Sequence, residues 1–197
     1  SASLVGSEMC IRDSVRKGGP LVVQAFTILR KKYLWSAELY LAGAKESDIR
    51  DALRERQIRV EEVDWQKIHL LGDLGSEKLT DYYNLCDVFC MPSYFEAYGL
   101  VFAEALTYGL PCIGRDKFAM SEFIEDGCTG RLISGEDAEK LALDLWEVLR
   151  DPKYREEVER RREWYLREYS WDKVAQRICS VMEKNERDKD QYRSAGV

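Results

Sequence analysis

The sequence predicts an α/β protein with a doubly wound parallel sheet, helices on both faces and further helices at the C-terminus. Short continuous apolar runs alternate with amphipathic segments along most of the 197 residues. Such runs are typical of strands buried on both faces, and their alternation with helices is typical of a parallel sheet. Ligands of such sheets bind beyond the carboxyl ends of the strands, so we expect the functional residues there.

The composition is that of a globular protein, with 45% hydrophobic and 34% charged residues. The net charge of −6 argues against a nucleic-acid-binding surface, which would be basic. No apolar run approaches the ~20 residues of a transmembrane helix. Six cysteines without a C-x-x-C pair and a single histidine argue against a metal site, and the scattered cysteines predict a reduced, cytoplasmic protein.

The first half of the chain contains four predicted strands and three predicted helices. In chain order they are a short strand at 4–6, a helix at 17–33, a strand at 38–43, a helix at 47–57, a strand at 68–71, a helix at 77–85 and a strand at 87–91. Ser76 suits the N-cap of the third helix. His69 lies within a strand without a nearby nucleophile, so we interpret it as structural rather than catalytic.

The second half begins with a helix that starts near Tyr98 and is followed by strands at 110–114 and 131–133. Three C-terminal helices follow at 137–150, 152–169 and 171–185. Pro152 suits a first helical position and Ser170 an N-cap. Residues 15–185 are thus expected to form the domain, and residues 186–197 a polar, frayed tail.

The most informative stretch is 92–114, which reads PSYFEAYGLVFAEALTYGLPCIG. It places Glu96 and Glu104 eight residues apart, with Gly99 between them at the expected helix start. The unpaired N–H groups at a helix start suit an anion, and carboxylates accept hydrogen bonds from hydroxyl groups. The stretch therefore predicts a site for a phosphate and a polyhydroxyl group.

A simpler interpretation makes Glu96 a helix-dipole partner and Glu104 a solvated helix residue. Eight residues of helix would separate the two carboxylates by about 12 Å, which is too far for a proton-sharing pair. The helix between Val101 and Leu106 is largely apolar, so it should pack against the sheet. This context favours two separate contacts with one extended ligand.

The pattern resembles the signature of retaining, nucleotide-sugar-dependent glycosyltransferases of the GT-B fold, family 4 (glycosyl transferases group 1). The matching segments are Arg16-Lys17-Gly18-Gly19, the stretch from Pro92 to Pro111, and the stretch from Ser121 to Ile133. They occur in the family's order, and the likeness runs from about residue 16 to residue 184. The resemblance implies that the chain is the Rossmann-like, donor-binding domain.

The resemblance also implies a role for each site residue. Lys17 would neutralise the diphosphate of a nucleotide diphosphate sugar, together with the N–H groups of Gly99 and Leu100. Glu104 would hold the ribose, and Glu96 would lie near the transferred sugar. Tyr98 and Arg16 belong to the same donor-binding set. No metal or other cofactor is implied.

The family's acceptor site lies on a separate N-terminal domain, for which this sequence contains no counterpart. We therefore expect no useful turnover from this chain alone. Two departures from the family concern the site. Ser7 follows Gly6 where a basic residue is usual, so that Arg12 or Arg16 would have to substitute, and the stretch 116–120 replaces a glycine-rich one. Residues 1–14 resemble translated sequencing-adapter sequence and are a candidate non-native leader.

Two other functions remain open at the level of sequence. A nucleotide-sugar enzyme of another class, such as an epimerase, would require histidine and other acid–base residues in the site. A non-enzymatic module of flavodoxin-like type, such as a receiver domain, would require an acidic cluster after the first strand. The positions of His69, Glu96 and Glu104 fit neither pattern well.

Overall fold

The computed structural model describes residues 3–7 and 15–194. It contains a six-stranded sheet in the order β3-β2-β1-β4-β5-β6, in which every neighbouring pair is parallel. The strands are β1 (Ser3–Ser7), β2 (Glu38–Ala42), β3 (Ile68–Gly72), β4 (Val88–Cys90), β5 (Cys112–Arg115) and β6 (Gly130–Ile133). The predicted doubly wound sheet is confirmed. Its order reverses between β1 and β4, which is where such folds open a ligand crevice.

Eight α-helices connect and cover these strands in the described part of the chain. They are α1 (Gly19–Lys32), α2 (Glu46–Glu55), α3 (Ser76–Leu85), α4 (Leu100–Thr107), α5 (Met120–Phe123), α6 (Ala138–Arg150), α7 (Lys153–Glu168) and α8 (Trp171–Ser194). Two short 3₁₀ turns, Val60–Glu62 and Trp65–Lys67, precede β3. None of the helices in the described ranges is both long and apolar enough to cross a membrane.

The sheet separates two apolar cores. One lies beneath α1, α2 and α6 and includes Phe26 and Leu145, while the other lies beneath α4 and α7 and includes Phe102 and Val158. Strand β4 serves both, because Val88 belongs to the first core and Phe89 to the second. Burial on both faces explains why the strands appear in the sequence as continuous apolar runs.

Part of the candidate leader is built into the centre of this sheet. Strand β1 pairs with β2 on one side and β4 on the other, so that Leu4 is in register with both Leu39 and Val88. Residues 1–2 and 8–14, including Arg12, lie outside the described residues. The segment 3–7 therefore supplies the strand that joins the two halves of the sheet.

The bounds of several helices differ from the predicted ones. Pro152 is the N-cap of α7 and not its first helical residue. Helix α3 begins at Ser76 itself, and Gly75 takes the N-cap position in an extended conformation. Helix α8 continues to Ser194, past the predicted end at residue 185, because the added segment is rich in the good helix formers Lys, Arg and Glu. The single-turn helix α5 was not predicted, since four residues carry no readable periodicity.

Candidate functional site

Lys17 and Glu96 meet at the carboxyl edge of the sheet although they are 79 residues apart in sequence. The ammonium Nζ of Lys17 donates to Oε2 of Glu96 at 2.5 Å. Only 11% of the Lys17 side chain and 13% of the Glu96 side chain are exposed. Lys17 comes just before α1, and Glu96 lies in the loop between β4 and α4. The structure thus places a largely buried ion pair at the point where the strand order reverses.

The two loops are held together by backbone contacts. The N–H of Tyr94 donates to the carbonyl of Arg16 at 2.8 Å, and the Arg16 guanidinium donates to the carbonyl of Phe95. Gly18 has a φ of 88°, and a Cβ there would lie 2.7 Å from the carbonyl oxygen of Pro92. Only glycine combines this backbone conformation with so close an approach. Arg16 and Gly18 therefore fix Lys17 against the loop that carries Glu96.

Glu96 also holds the start of α4. Its Oε1 accepts a hydrogen bond from the N–H of Gly99 at 3.2 Å, and Gly99 occupies the N-cap position with a φ of 66°. The Gly99 N–H predicted to bind phosphate is thus bonded to Glu96 in the structure. The N–H groups of Leu100 and Val101 follow in the first helical turn, where no helical carbonyl can accept from them. The N–H of Phe102 donates to the carbonyl of Gly99 at 2.9 Å. A phosphate could use the Leu100 and Val101 groups without displacing the glutamate.

Glu104 lies in the second turn of α4, as predicted, and is held from a different direction. Its Oε2 accepts a hydrogen bond from the hydroxyl of Tyr83, on α3, at 3.3 Å. Although Glu104 as a whole is exposed, partial desolvation of its carboxyl group raises its pKa, and the hydrogen bond from Tyr83 opposes this effect. Glu96 and Glu104 therefore occupy separate surroundings on either side of the helix start, consistent with two different contacts.

The remaining predicted site residues are exposed at the same edge. Tyr98 and Leu100 are 79% and 59% exposed. Beside them, Phe95 and Phe118 form an edge-to-face aromatic pair whose ring centroids lie 5.0 Å apart. Phe118 has a φ of 56°, which is unusual for a bulky residue. Sequence reasoning missed this pair, although the replacement of a glycine-rich stretch at 116–120 was a signal for it.

Arg115 is the other residue that sequence reasoning missed. It ends β5, is only 5% exposed, and donates hydrogen bonds to the carbonyls of Pro92 and Gly135. The signal was available, because a charged residue directly follows the apolar run 110–114. Its contact with Pro92 links it to the carbonyl that Gly18 approaches.

Several polar and sulfur-containing residues have structural surroundings instead. His69 stacks on Tyr40 at 4.5 Å and bonds to Glu38 at 3.1 Å, as expected for a structural histidine at the edge strand. Cys90 and Cys112 are fully buried, and burial raises the pKa of both thiols. Since His69 lies away from the Lys17–Glu96 pair, the geometry does not favour an epimerase.

A cavity of about 720 Å³ lies at the opposite edge of the sheet. Asp87 and Pro111, which precede β4 and β5, line it together with the end of α6 and the start of α7. Its Arg155 already pairs with Asp87 at 3.1 Å. The cavity is therefore separate from the residues described above, and its charged groups are at least partly neutralised.

Comparison with known families gives the site its context. The family described as glycosyl transferases group 1 matches residues 11–164, which is well over half of the chain. The chain belongs to this family. The match includes Lys17, Glu96 and Glu104, so all three lie within the family's domain.

Curated relatives are longer than this chain. It is 29% identical over 184 residues to a lipopolysaccharide 1,2-N-acetylglucosaminetransferase of Salmonella typhimurium, covering 90% of this chain and 48% of the relative. An uncharacterized glycosyltransferase of Methanocaldococcus jannaschii is 27% identical over 173 residues, covering 86% of this chain and 42% of the relative. The chain therefore spans less than half the length of either relative.

Solved structures share the fold. The pneumococcal O-GlcNAc transferase GtfA, crystallised with UDP and GlcNAc, superposes with a TM-score of 0.72 at 24% identity, over 91% of this chain and 36% of that chain. Anabaena HepE, crystallised with UDP and glucose, gives a TM-score of 0.74 at 19% identity, over 92% and 48% of the two chains. The Rossmann-like domain of a GT-B glycosyltransferase is thereby confirmed as the fold.

Proposed function

We propose that this chain is the donor-binding half of a retaining, metal-independent glycosyltransferase of family 4 type. It would bind a nucleotide diphosphate sugar, and the complete enzyme would transfer the sugar to an acceptor. The observation that carries this proposal is the largely buried Lys17–Glu96 pair, which lies where the strand order reverses and beside the start of α4. A cation, a helix N-terminus and a carboxylate at one edge suit a diphosphate that is linked to a sugar.

Lys17 and Glu96 can exchange partners when such a donor binds. A diphosphate beside Lys17 offers more negative charge than one carboxylate, so the ammonium can turn from Glu96 to phosphate oxygens. Glu96 is then free to accept hydrogen bonds from sugar hydroxyls or to balance positive charge that develops on the sugar. Lys17 and the helix N-terminus would stabilise the leaving diphosphate without a metal ion.

Glu104 is suited to the ribose. Its carboxylate lies one helical turn beyond the phosphate-binding end of α4, and two ribose hydroxyls could donate to its two oxygens. Tyr83 holds Oε2 at 3.3 Å and so orients the group. Two solved neighbours that were crystallised with UDP support a nucleotide donor, and their longer chains support a separate acceptor-binding domain.

A ligand screen tests the proposal directly. The full chain is mixed with UDP, GDP, ADP and their hexose conjugates, and unfolding is followed by differential scanning fluorimetry. At least one nucleotide should raise the Tm, because a ligand that binds only the native state stabilises it. The absence of any shift in a folded sample would contradict the proposal.

A substitution of Glu104 tests its proposed role in binding the ribose. Glu104→Ala should weaken binding of the stabilising nucleotide by about tenfold, equivalent to about 1.4 kcal/mol, because both ribose contacts are lost. Glu163→Ala, on the exposed face of α7, is the matched control and should bind normally. Unchanged nucleotide binding by Glu104→Ala would remove the ribose role and leave the phosphate site untouched.

A further inference from the structure

Arg115 brings a charged group into the layer beneath the candidate site. Its Nε donates to the carbonyl of Pro92 at 3.2 Å, and its Nη1 donates to the carbonyl of Gly135 at 2.9 Å. Its guanidinium also lies 4.4 Å from the centroid of the Tyr94 ring. One side chain thus connects the end of β5 to the loops that follow β4 and β6.

The hydrogen-bonding capacity of the Arg115 guanidinium is incompletely used. Its Nη2 is buried and has no hydrogen-bond partner within the described part of the chain. Both of its side-chain hydrogen bonds go to neutral carbonyls. The nearby negative charge comes from Glu136, whose pKa is lowered by the hydrogen bond from Tyr94 and by the charges of Arg56 and Arg115. A buried cation with an unused donor is costly, so its retention at 5% exposure requires a compensating role.

The contacts of Arg115 reach the two neighbours of Lys17 by two separate routes. In the first, Arg115 holds the Pro92 carbonyl, whose oxygen would lie 2.7 Å from a Cβ at Gly18. In the second, Arg115 packs on Tyr94, whose backbone N–H holds the Arg16 carbonyl at 2.8 Å. Arg16 and Gly18 are the two neighbours of Lys17, so Arg115 supports its segment from both sides.

A second arginine fixes Tyr94 from its hydroxyl end. Nη2 of Arg56 donates to the Tyr94 hydroxyl at 2.7 Å, and Nη1 pairs with Glu136 at 3.0 Å. The Tyr94 ring therefore has an arginine near its face and another at its hydroxyl. These contacts restrict the Tyr94 side chain and so help to fix the Tyr94 backbone, whose N–H donates to the Arg16 carbonyl.

We propose that Arg115 is a positioning residue for the phosphate site. It holds the 92–94 loop and thereby keeps Lys17 where a diphosphate would bind. The proposal rests on the proposed function and adds a residue that does not itself touch the ligand.

The test compares a nucleoside diphosphate with its nucleoside. Kd values for UDP and uridine, GDP and guanosine, and ADP and adenosine are measured by ligand-observed NMR for the full chain and for Arg115→Met. For the pair that binds, the ratio of nucleoside to diphosphate Kd reports the contribution of the phosphates. This ratio should fall about tenfold or more in Arg115→Met, while the nucleoside Kd changes less than about twofold.

Arg131→Met is the matched control. Arg131 lies on the neighbouring strand β6, pairs with the buried Asp144 at 3.4 Å, and lacks a contact with Pro92 or Tyr94 among the described residues. It should lose stability but keep the wild-type Kd ratio. Arg115→Lys keeps the charge without the planar guanidinium, and should lose most of the phosphate contribution because a lysine cannot make both directed bonds and the ring contact.

The outcomes separate the two proposals. If wild type binds no diphosphate, the proposed function fails, and this inference fails with it. If wild type binds and Arg115→Met keeps the wild-type ratio, or Arg115→Lys restores it fully, the positioning role alone is overturned. Should Arg115→Met fail to fold, Tyr94→Leu removes the supporting ring from a half-buried position, and an unchanged ratio in that variant equally overturns the role.

Discussion

Glu104, the proposed ribose contact, lowers the stability of the free protein when its carboxyl group is ionised. Because its pKa is raised above the ordinary value of 4.5, its ionised form is less favourable in the folded chain than in the unfolded chain. The cost is absent below the ordinary pKa, grows as the pH rises through the raised pKa, and is fully present at neutral pH. Such a cost is expected for a carboxylate that gains hydroxyl donors only when a ligand binds.

Glu104→Gln is therefore expected to stabilise the protein at neutral pH. The gain should be small, because solvent screens the charge of this exposed residue. The amide keeps an acceptor for Tyr83 and removes the charge, so the Tm difference from wild type should be positive at pH 7 and vanish towards pH 4. Thermal unfolding across this range measures it, and Glu163→Gln serves as the exposed control. A Tm difference that is constant with pH, or negative at pH 7, would contradict the interpretation.

Alanine substitutions at Gly18 and Gly72 should separate the cost of backbone strain from the cost of close packing. Gly18 and Gly72 both have positive φ, but a Cβ at Gly72 would meet nothing within 4 Å, whereas one at Gly18 would meet the Pro92 carbonyl at 2.7 Å. Gly72→Ala should thus cost only the left-handed strain, about 1–2 kcal/mol. Gly18→Ala should cost a further 1–3 kcal/mol or so for overpacking.

Urea unfolding at equilibrium measures both free energies. Gly18→Ala should also bind nucleoside diphosphates more weakly, because the clash pushes the Lys17 segment away from the loop. Equal losses of stability in the two variants would show that the approach to Pro92 is not a tight constraint.

Among the secondary-structure elements, the central strand β1 should matter most for the stability of the sheet. It is hydrogen-bonded to β2 on one side and β4 on the other, so its removal would leave both with an unpaired edge. A parallel strand has no local partner that could replace it. The integrity of the sheet should therefore depend on residues within the stretch that the sequence suggested was a non-native leader.

Deletion of residues 1–7 is expected to abolish cooperative unfolding, and deletion of residues 186–197 is the matched control at the other terminus. The first deletion removes a doubly paired strand, whereas the second removes a polar end of a helix. Far-ultraviolet circular dichroism on heating distinguishes them. A cooperative transition that survives in the first variant at the wild-type Tm would show that β1 contributes little.

Elements and site differ in how far the sequence predicts them. Strands such as the one expected at 110–114 can be predicted from sequence, because a strand buried on both faces consists mostly of apolar residues. Gly99 is readable because a left-handed helix N-cap favours glycine. The ion pair between Lys17 and Glu96 is not readable from spacing, since it depends on how two distant loops approach. The same holds for Arg115, whose partners are mostly backbone carbonyls that any sequence would offer.

At the scale of the whole molecule, one edge of the sheet gathers the candidate site from separate parts of the chain. Lys17 comes from the first crossover, Glu96 and Glu104 from the fourth, and Arg115 from the end of β5. The parallel sheet makes this possible because all its strands end at the same edge. The central claim is that this edge binds a nucleoside diphosphate through Lys17.

Isothermal titration calorimetry of three proteins with UDP, GDP and ADP tests that claim most directly. The proteins are wild type, Lys17→Met, and Lys31→Met, in which an exposed lysine that pairs with Glu62 at the far end of α1 is replaced. We predict that wild type binds at least one nucleotide, that Lys17→Met weakens its Kd about tenfold or more, and that Lys31→Met leaves it unchanged. Equal binding by wild type and Lys17→Met, or no binding by folded wild type, would contradict the account.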